Sequence, residues 1–181
     1  MILPIYVYGQ PVLREVAKPV DLNMEGLDQL IADMYETMKN ADGVGIAAPQ
    51  VGKSLRILIV DGSDLSDDYP ELKDFKRVMI NPEVTEKSEE TADYSEGCLS
   101  VPDINCNVTR PKRITVKYIN EKKETVTESF DGFGCRMVEH ELDHLDGHMF
   151  IDRVSQIRRK LIGGKLRKLE TRNFRPRYKI K

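Results

Sequence analysis

At 181 residues, with 40% hydrophobic and 32% charged residues and a net charge of −2, the chain is sized for one domain that buries its own core. No apolar run approaches the ~18 residues of a membrane span, and MILPIYVYGQ lacks the basic region and long apolar stretch of a secretory signal. Three cysteines, Cys98, Cys106 and Cys135, are odd in number and without framework spacing, which argues against disulfide stapling and for a cytoplasmic setting.

Residues 1–23 carry Pro4, Pro11 and Pro19 with little periodicity and read as an extended arm or short turns. Residues 24–40 are the clearest helix, with Leu27, Leu30, Ile31, Met34, Tyr35 and Met38 in one apolar stripe. Next comes GVGIAAPQ, Gly43 to Gln50. Its two glycines let another chain approach closely. It is neither a dinucleotide fingerprint nor a P-loop, and by itself it reads as a flexible turn.

Leu55 to Asp61 reads as a buried strand, and residues 62–75 as an acidic surface loop. Arg77 to Asn81 and Val84 to Glu86 look like two short strands separated by Pro82, and residues 87–95 look polar and exposed. EGCLS, Glu96 to Ser100, suggests a turn that aims a thiol inward, although a lone cysteine is more often a small core residue. Ile114 to Ile119 and Thr125 to Phe130 read as paired strands around a turn.

HELDH, His140 to His144, carries the most chemistry. On a helix, two histidines four apart share one face and can hold one metal ion from the same side. Glu141 is then placed beside the first ligand, where a carboxylate can shuttle the proton of a water that the metal acidifies. Asp131 and Gly132 offer a start for that helix, and Gly147 a C′ residue. A catalytic metal usually has a third protein ligand. His148 lies a further turn along, about 6 Å, too distant for a compact site. Glu170 is the only acid in the basic tail, and Cys98 is the better candidate.

From Arg153 onward the chain has twelve Lys or Arg against one acid, a charge of +11, while residues 1–152 carry −13. A basic tail on an acidic body suits a polyanionic partner such as RNA, or a merely solvated terminus. Gln156 to Leu169 reads as a helix interrupted at Gly163–Gly164.

Taken together, GVGIAAPQ, EGCLS and HELDH resemble the three signature motifs of the peptide deformylases, in the family's order. PVLREVAKPV, INPEV and the DGF…HELDHLDG run extend the resemblance over most of the chain, to the bacterial branch with a helical C-terminal extension. Two departures are Glu139, where a glutamine commonly precedes the first histidine, and the long segment 62–75.

The resemblance implies an α+β fold: a compact single domain of mixed or antiparallel short sheets around a central metal-binding helix, plus a C-terminal helix. Residues 1–152 would be the metallohydrolase body and 153–181 a basic helical extension of it. Cys98, His140 and His144 would ligate the metal, ferrous iron, with Ni2+, Co2+ or Zn2+ able to substitute. Glu141 would be the general base and acid, and the Gln50 amide with the Leu99 N–H the oxyanion hole. Gly45 and Ile46 would bind and line the peptide groove. The implied reaction is removal of the formyl group from N-formylmethionyl peptides by a monomeric enzyme, with ribosome association through residues 153–181. Two other readings stay open: a zinc endopeptidase with a third ligand other than Cys98, and a non-catalytic, metal-stabilised module that docks on RNA.

Overall fold

Every residue of the run Ile57–Asp61 is buried, and the run forms strand β2 near one end of an antiparallel sheet. The sheet begins with β1 (Gly45–Ala47), which pairs with β2. It continues through β3 (Lys76–Lys87), β6 (Ile114–Ile119) and β7 (Thr125–Phe130), in the order β1-β2-β3-β6-β7. The computed structural model describes residues 1–181 and adds a separate two-stranded ribbon, β4 (Thr91–Cys98) with β5 (Val101–Pro111). Three α-helices complete the chain: α1 (Leu27–Asn40), α2 (Gly132–Leu145) and α3 (Gln156–Glu170).

The unbroken apolar run Ile57–Val60 of β2 follows from cover on both faces. Alternate strand residues point to opposite sides. Ile57 and Ile59 join Met34 and Met38 of α1, whereas Leu58 and Val60 join Val138 and Leu145 of α2. A third cluster joins Val101, Ile104, Cys106 and Val108 of β5 to Ile162, Leu166 and Leu169 of α3, with Val7 and Leu13 of the N-terminal arm. Helix α2 therefore lies between the sheet and the ribbon. Cys106 and Cys135 are buried thiols.

Several local expectations are corrected. GVGIAAPQ is no flexible turn: it supplies edge strand β1 and a buried 3-10 turn, Ala48–Val51. The two short strands expected around Pro82 are one strand. A register shift between Ile80 and Glu83 accommodates the proline, so its missing N–H falls at a bulge. Asn81 there has φ +51°, and its side chain bonds both Val20 N–H (2.7 Å) and Val20 C=O (3.0 Å). Residues 91–95, read only as polar and exposed, form the start of β4, with Thr91, Asp93 and Ser95 at the surface. Residues 62–75 are the acidic surface loop expected, with two 3-10 turns and one buried anchor, Leu72.

Helix α2 ends as expected at Gly147, whose φ of +78° suits only glycine and whose Cβ, if present, would meet Arg14 O at 2.6 Å. Helix α3 runs straight through Gly163–Gly164. Each glycine weakens a helix by about 1 kcal/mol, but the buried stripe of Ile162, Leu166 and Leu169 fixes it to the core. Ser155 caps its start by accepting from Arg158 N–H.

Candidate metal centre and substrate groove

Cys98 closes β4 and pairs with Val101 across the two-residue turn Leu99–Ser100. That turn points the thiol at the face of α2 carrying His140 and His144. Cys98 Sγ lies 3.3 Å from His144 Nε2, and the ligand atoms of all three residues fall within 4.8 Å of one another. A tetrahedral ion with bonds of about 2.0–2.3 Å to nitrogen and sulfur brings its ligand atoms to such separations, so the donor set fits a divalent transition metal. Burial opposes ionisation of Cys98, but the two imidazoles override it and pull the thiol down to about 5, toward the thiolate a metal needs.

The second nitrogen of His140 is held by a residue that sequence reading passed over. Nδ1 meets Glu96 Oε1 at 2.8 Å, which turns Nε2 toward the cluster. Glu96 is itself gripped by Arg110 (2.7 and 2.9 Å) and Arg136 (2.7 Å). Burial would raise its carboxyl, yet His140 and Arg110 hold it down to about 2. Arg110 also reaches Asp143 (2.6 Å), which Arg153 clamps from the other side (2.6 and 2.7 Å). The aspartate of HELDH is thus an anchor for the helix and not a ligand. His148 has a side chain 55% exposed and stands outside the cluster.

Glu141 lines the groove beside the donor set, and its Oε2 is buried without a protein hydrogen-bond partner. Burial raises its carboxyl to about 7 against the pull of His140 and His144. Gly45 makes this position possible: a Cβ there would stand 2.6 Å from Glu141 Oε1 and 3.0 Å from Cγ and Cδ. Gly45→Ala should therefore displace the carboxylate and lower kcat about 100-fold, the scale of an ångström-sized misplacement. A melting temperature near that of the parent protein would show that the loss is local.

Gln50 is 1% exposed. Ala47 N–H donates to its Oε1 (2.9 Å), which turns the amide so that Nε2 faces Ser100 Oγ (3.1 Å) and Cys98 Sγ (3.5 Å). Leu99 N–H donates to no acceptor within the chain. Of the two groove residues expected from GVGIAAPQ, Gly45 borders the groove, whereas the Ile46 side chain lies in the core under α1. Glu139 lines a separate small pocket and approaches Cys135 Sγ at 3.4 Å, so the departure from glutamine leaves the Cys98, His140 and His144 cluster untouched. The groove has a volume of about 440 Å³ and runs from Gly43 and Gly45 past Cys98 and α2 to the end of the chain.

A family model described as polypeptide deformylase matches residues 2–160. A peptide deformylase of Flavobacterium johnsoniae is 41% identical, over 100% of this chain and 96% of its own length. The structure of a peptide deformylase from Thermus thermophilus superposes with a TM-score of 0.84 at 34% identity, covering 95% of this chain and 99% of that one. An actinonin-bound class I type b peptide deformylase from Acinetobacter baumannii gives a TM-score of 0.76 at 40% identity, covering 86% of this chain and 99% of that one.

Proposed function

The chain belongs to the polypeptide deformylase family, and from that premise we propose how its residues remove the formyl group from nascent peptides. The observation that carries this reading is the meeting of Cys98, His140 and His144 beside a buried carboxylate oxygen with no partner. The three ligands would hold one Fe2+, for which Ni2+, Co2+ or Zn2+ can substitute. Such an ion supplies Lewis acidity, bringing the pKa of water from 15.7 toward ~7.

The protein does the rest by placement. An extended formylmethionyl peptide lies along the free edge of β1, where the backbone of Gly45 offers strand-like hydrogen bonds. Glu141, its carboxyl near 7, accepts a proton from the attacking water at Oε2 and returns it to the leaving amine. Gln50 Nε2 and Leu99 N–H face the charge that develops on the formyl oxygen, and donors of this kind are worth about 3–4 kcal/mol each. Formate and a free N-terminus result.

The test of the reaction is substrate discrimination. Formyl-Met-Ala-Ser should release formate rapidly, while the acetylated and unblocked peptides should be inert. Internal cleavage of the same peptides would favour the endopeptidase reading instead.

Helix α3 exposes Arg158, Lys160, Lys165, Arg167 and Lys168 around its buried stripe, which makes its solvent face basic. This face supports ribosome association through residues 153–181. Deleting the tail would also strip Ile162, Leu166 and Leu169 from the core, so charge reversal is the cleaner test. Arg158→Glu with Lys165→Glu and Lys168→Glu should weaken co-sedimentation with ribosomes about tenfold or more at low salt. The parent protein's binding should fall steeply as salt rises. Unchanged co-sedimentation would contradict the proposal.

A further inference from the structure

Beyond α3 the chain turns back across the molecule, and its last residues become one wall of the groove. Ile180 makes a parallel bridge with Ile5. Ile5 N–H donates to Lys179 O (2.9 Å), Lys181 N–H to Ile5 O (2.8 Å) and Val7 N–H to Lys181 O (3.2 Å). Phe174 and Ile180 pack on the cluster shared by β5 and α3. Tyr178 Oη donates to Leu99 O at 2.5 Å, which ties the segment to the turn that follows the Cys98 ligand. The segment is therefore fixed at both sides of the stretch 175–177. Arg175, Arg177 and Tyr178 border the groove together with Cys98 and Glu141. The matched family region ends at residue 160, so this wall comes from sequence outside it.

The wall brings two guanidinium groups to the substrate's path. Arg177 meets only Asp103 (3.1 Å), with side chains 82% and 64% exposed. Such a pair is weak and exchanges partners at little cost. Arg175 has no carboxylate partner in the chain. An arginine fork engages a carboxylate through two parallel hydrogen bonds, a geometry that a peptide Asp or Glu can satisfy.

We propose that Arg175 and Arg177 make this enzyme favour formylated peptides bearing an acidic side chain downstream of the formylmethionine. The inference rests on the deformylase reading and adds to it a preference set by this chain's own terminal segment. The two arginines act on binding, so the preference belongs in KM more than in kcat.

The experiment is a series of C-terminally amidated formyl-Met peptides in which a single Asp or Lys occupies the second, third or fourth position. Amidation removes the terminal carboxylate as a competing acid. The quantity read is the Asp-to-Lys ratio of kcat/KM within each protein. For the parent protein the ratio should reach about three- to fivefold at one or more positions. It should fall to about one in the Arg175→Ala/Arg177→Ala variant and persist when both are changed to Lys. At about 1 M salt, where the Debye length is ~3 Å, it should shrink in the parent protein as well. A ratio near one at every position, or one that the double alanine variant leaves unmoved, overturns the proposal. Absence of formate release from every formylated peptide would instead overturn the deformylase reading, and this inference with it.

Discussion

Glu141→Gln should lower kcat for formate release about 10³-fold, within the 10²–10⁴ range of a positioned acid–base group, while the protein keeps its metal. Glutamine matches the carboxylate in size, so it fits the space that Gly45 leaves. It accepts no proton at neutral pH and cannot pass one to the departing amine. Glu141 is not one of the three donor residues, and its Oε2 has no partner whose loss would disturb the fold. Metal content and melting temperature should thus stay near those of the parent, with KM little changed. Full turnover by a metal-loaded Glu141→Gln protein would remove Glu141 from the chemistry.

The second large effect falls on stability. Glu96→Ala should cost about 3–5 kcal/mol, the usual consequence of deleting one partner from a buried ionic cluster. Two guanidinium groups and an imidazole converge on this carboxylate, and all are nearly inaccessible to solvent. Arg110 would retain Asp143, and Arg136 the carbonyls of Val108 and Ala92, but each would keep a buried positive charge with less to balance it. His140 would also lose the bond that orients its ring. Metal affinity should therefore fall 10–100-fold, as for other groups that orient a ligand from behind. Denaturant unfolding and a metal titration separate the two effects. Glu96→Gln should recover part of the metal affinity, because an amide oxygen still accepts from Nδ1.

Glu96 also marks where sequence reading stops. The pairing of His140 with His144 was legible because two histidines four apart on a helix state their own geometry, and the apolar patterns of α1, α2 and β2 place those elements without help. Cys98 as the third member of the donor group needed the resemblance as well. Glu96 carries no periodic signal. Its meaning comes from the pairing of β4 with β5, which sets Glu96 opposite Cys106 and close to Arg110. One clue was present: Ile104, Cys106, Val108 and Arg110 alternate as the buried face of β5, so a charged side chain among apolar ones pointed to an enclosed partner. The segment Thr91–Ser95 was missed for the opposite reason. Its strand is held by the ladder to β5 and not by apolar alternation.

The basic tail was legible as charge and as the helix around Gln156 to Leu169, but not in how it docks on the body. Its composition suits a solvated terminus, yet three inward apolar residues in α3 and a bridge from Ile180 to Ile5 fold it onto the body. Non-local pairing of this kind depends on where the N-terminal arm lies, which the tail's own residues do not specify. The glycines of GVGIAAPQ were read as points of close approach, and they are: Gly43 faces Leu99 and Gly45 faces Glu141. What they approach is set by how the β4–β5 turn and α2 pack against this segment, which its own residues do not specify.

The central claim is that one metal ion held by Cys98, His140 and His144 is required for deformylation. The direct measurement is metal content and formate release on the same oxygen-free preparation, with formyl-Met-Ala-Ser as substrate. Release should rise in proportion to occupancy up to one ion per chain, vanish with a chelator and return with Fe2+. Cys98→Ala should lose the ion and the activity together. Rapid formate release from metal-free protein, or none from a folded protein carrying one ion per chain, would contradict it.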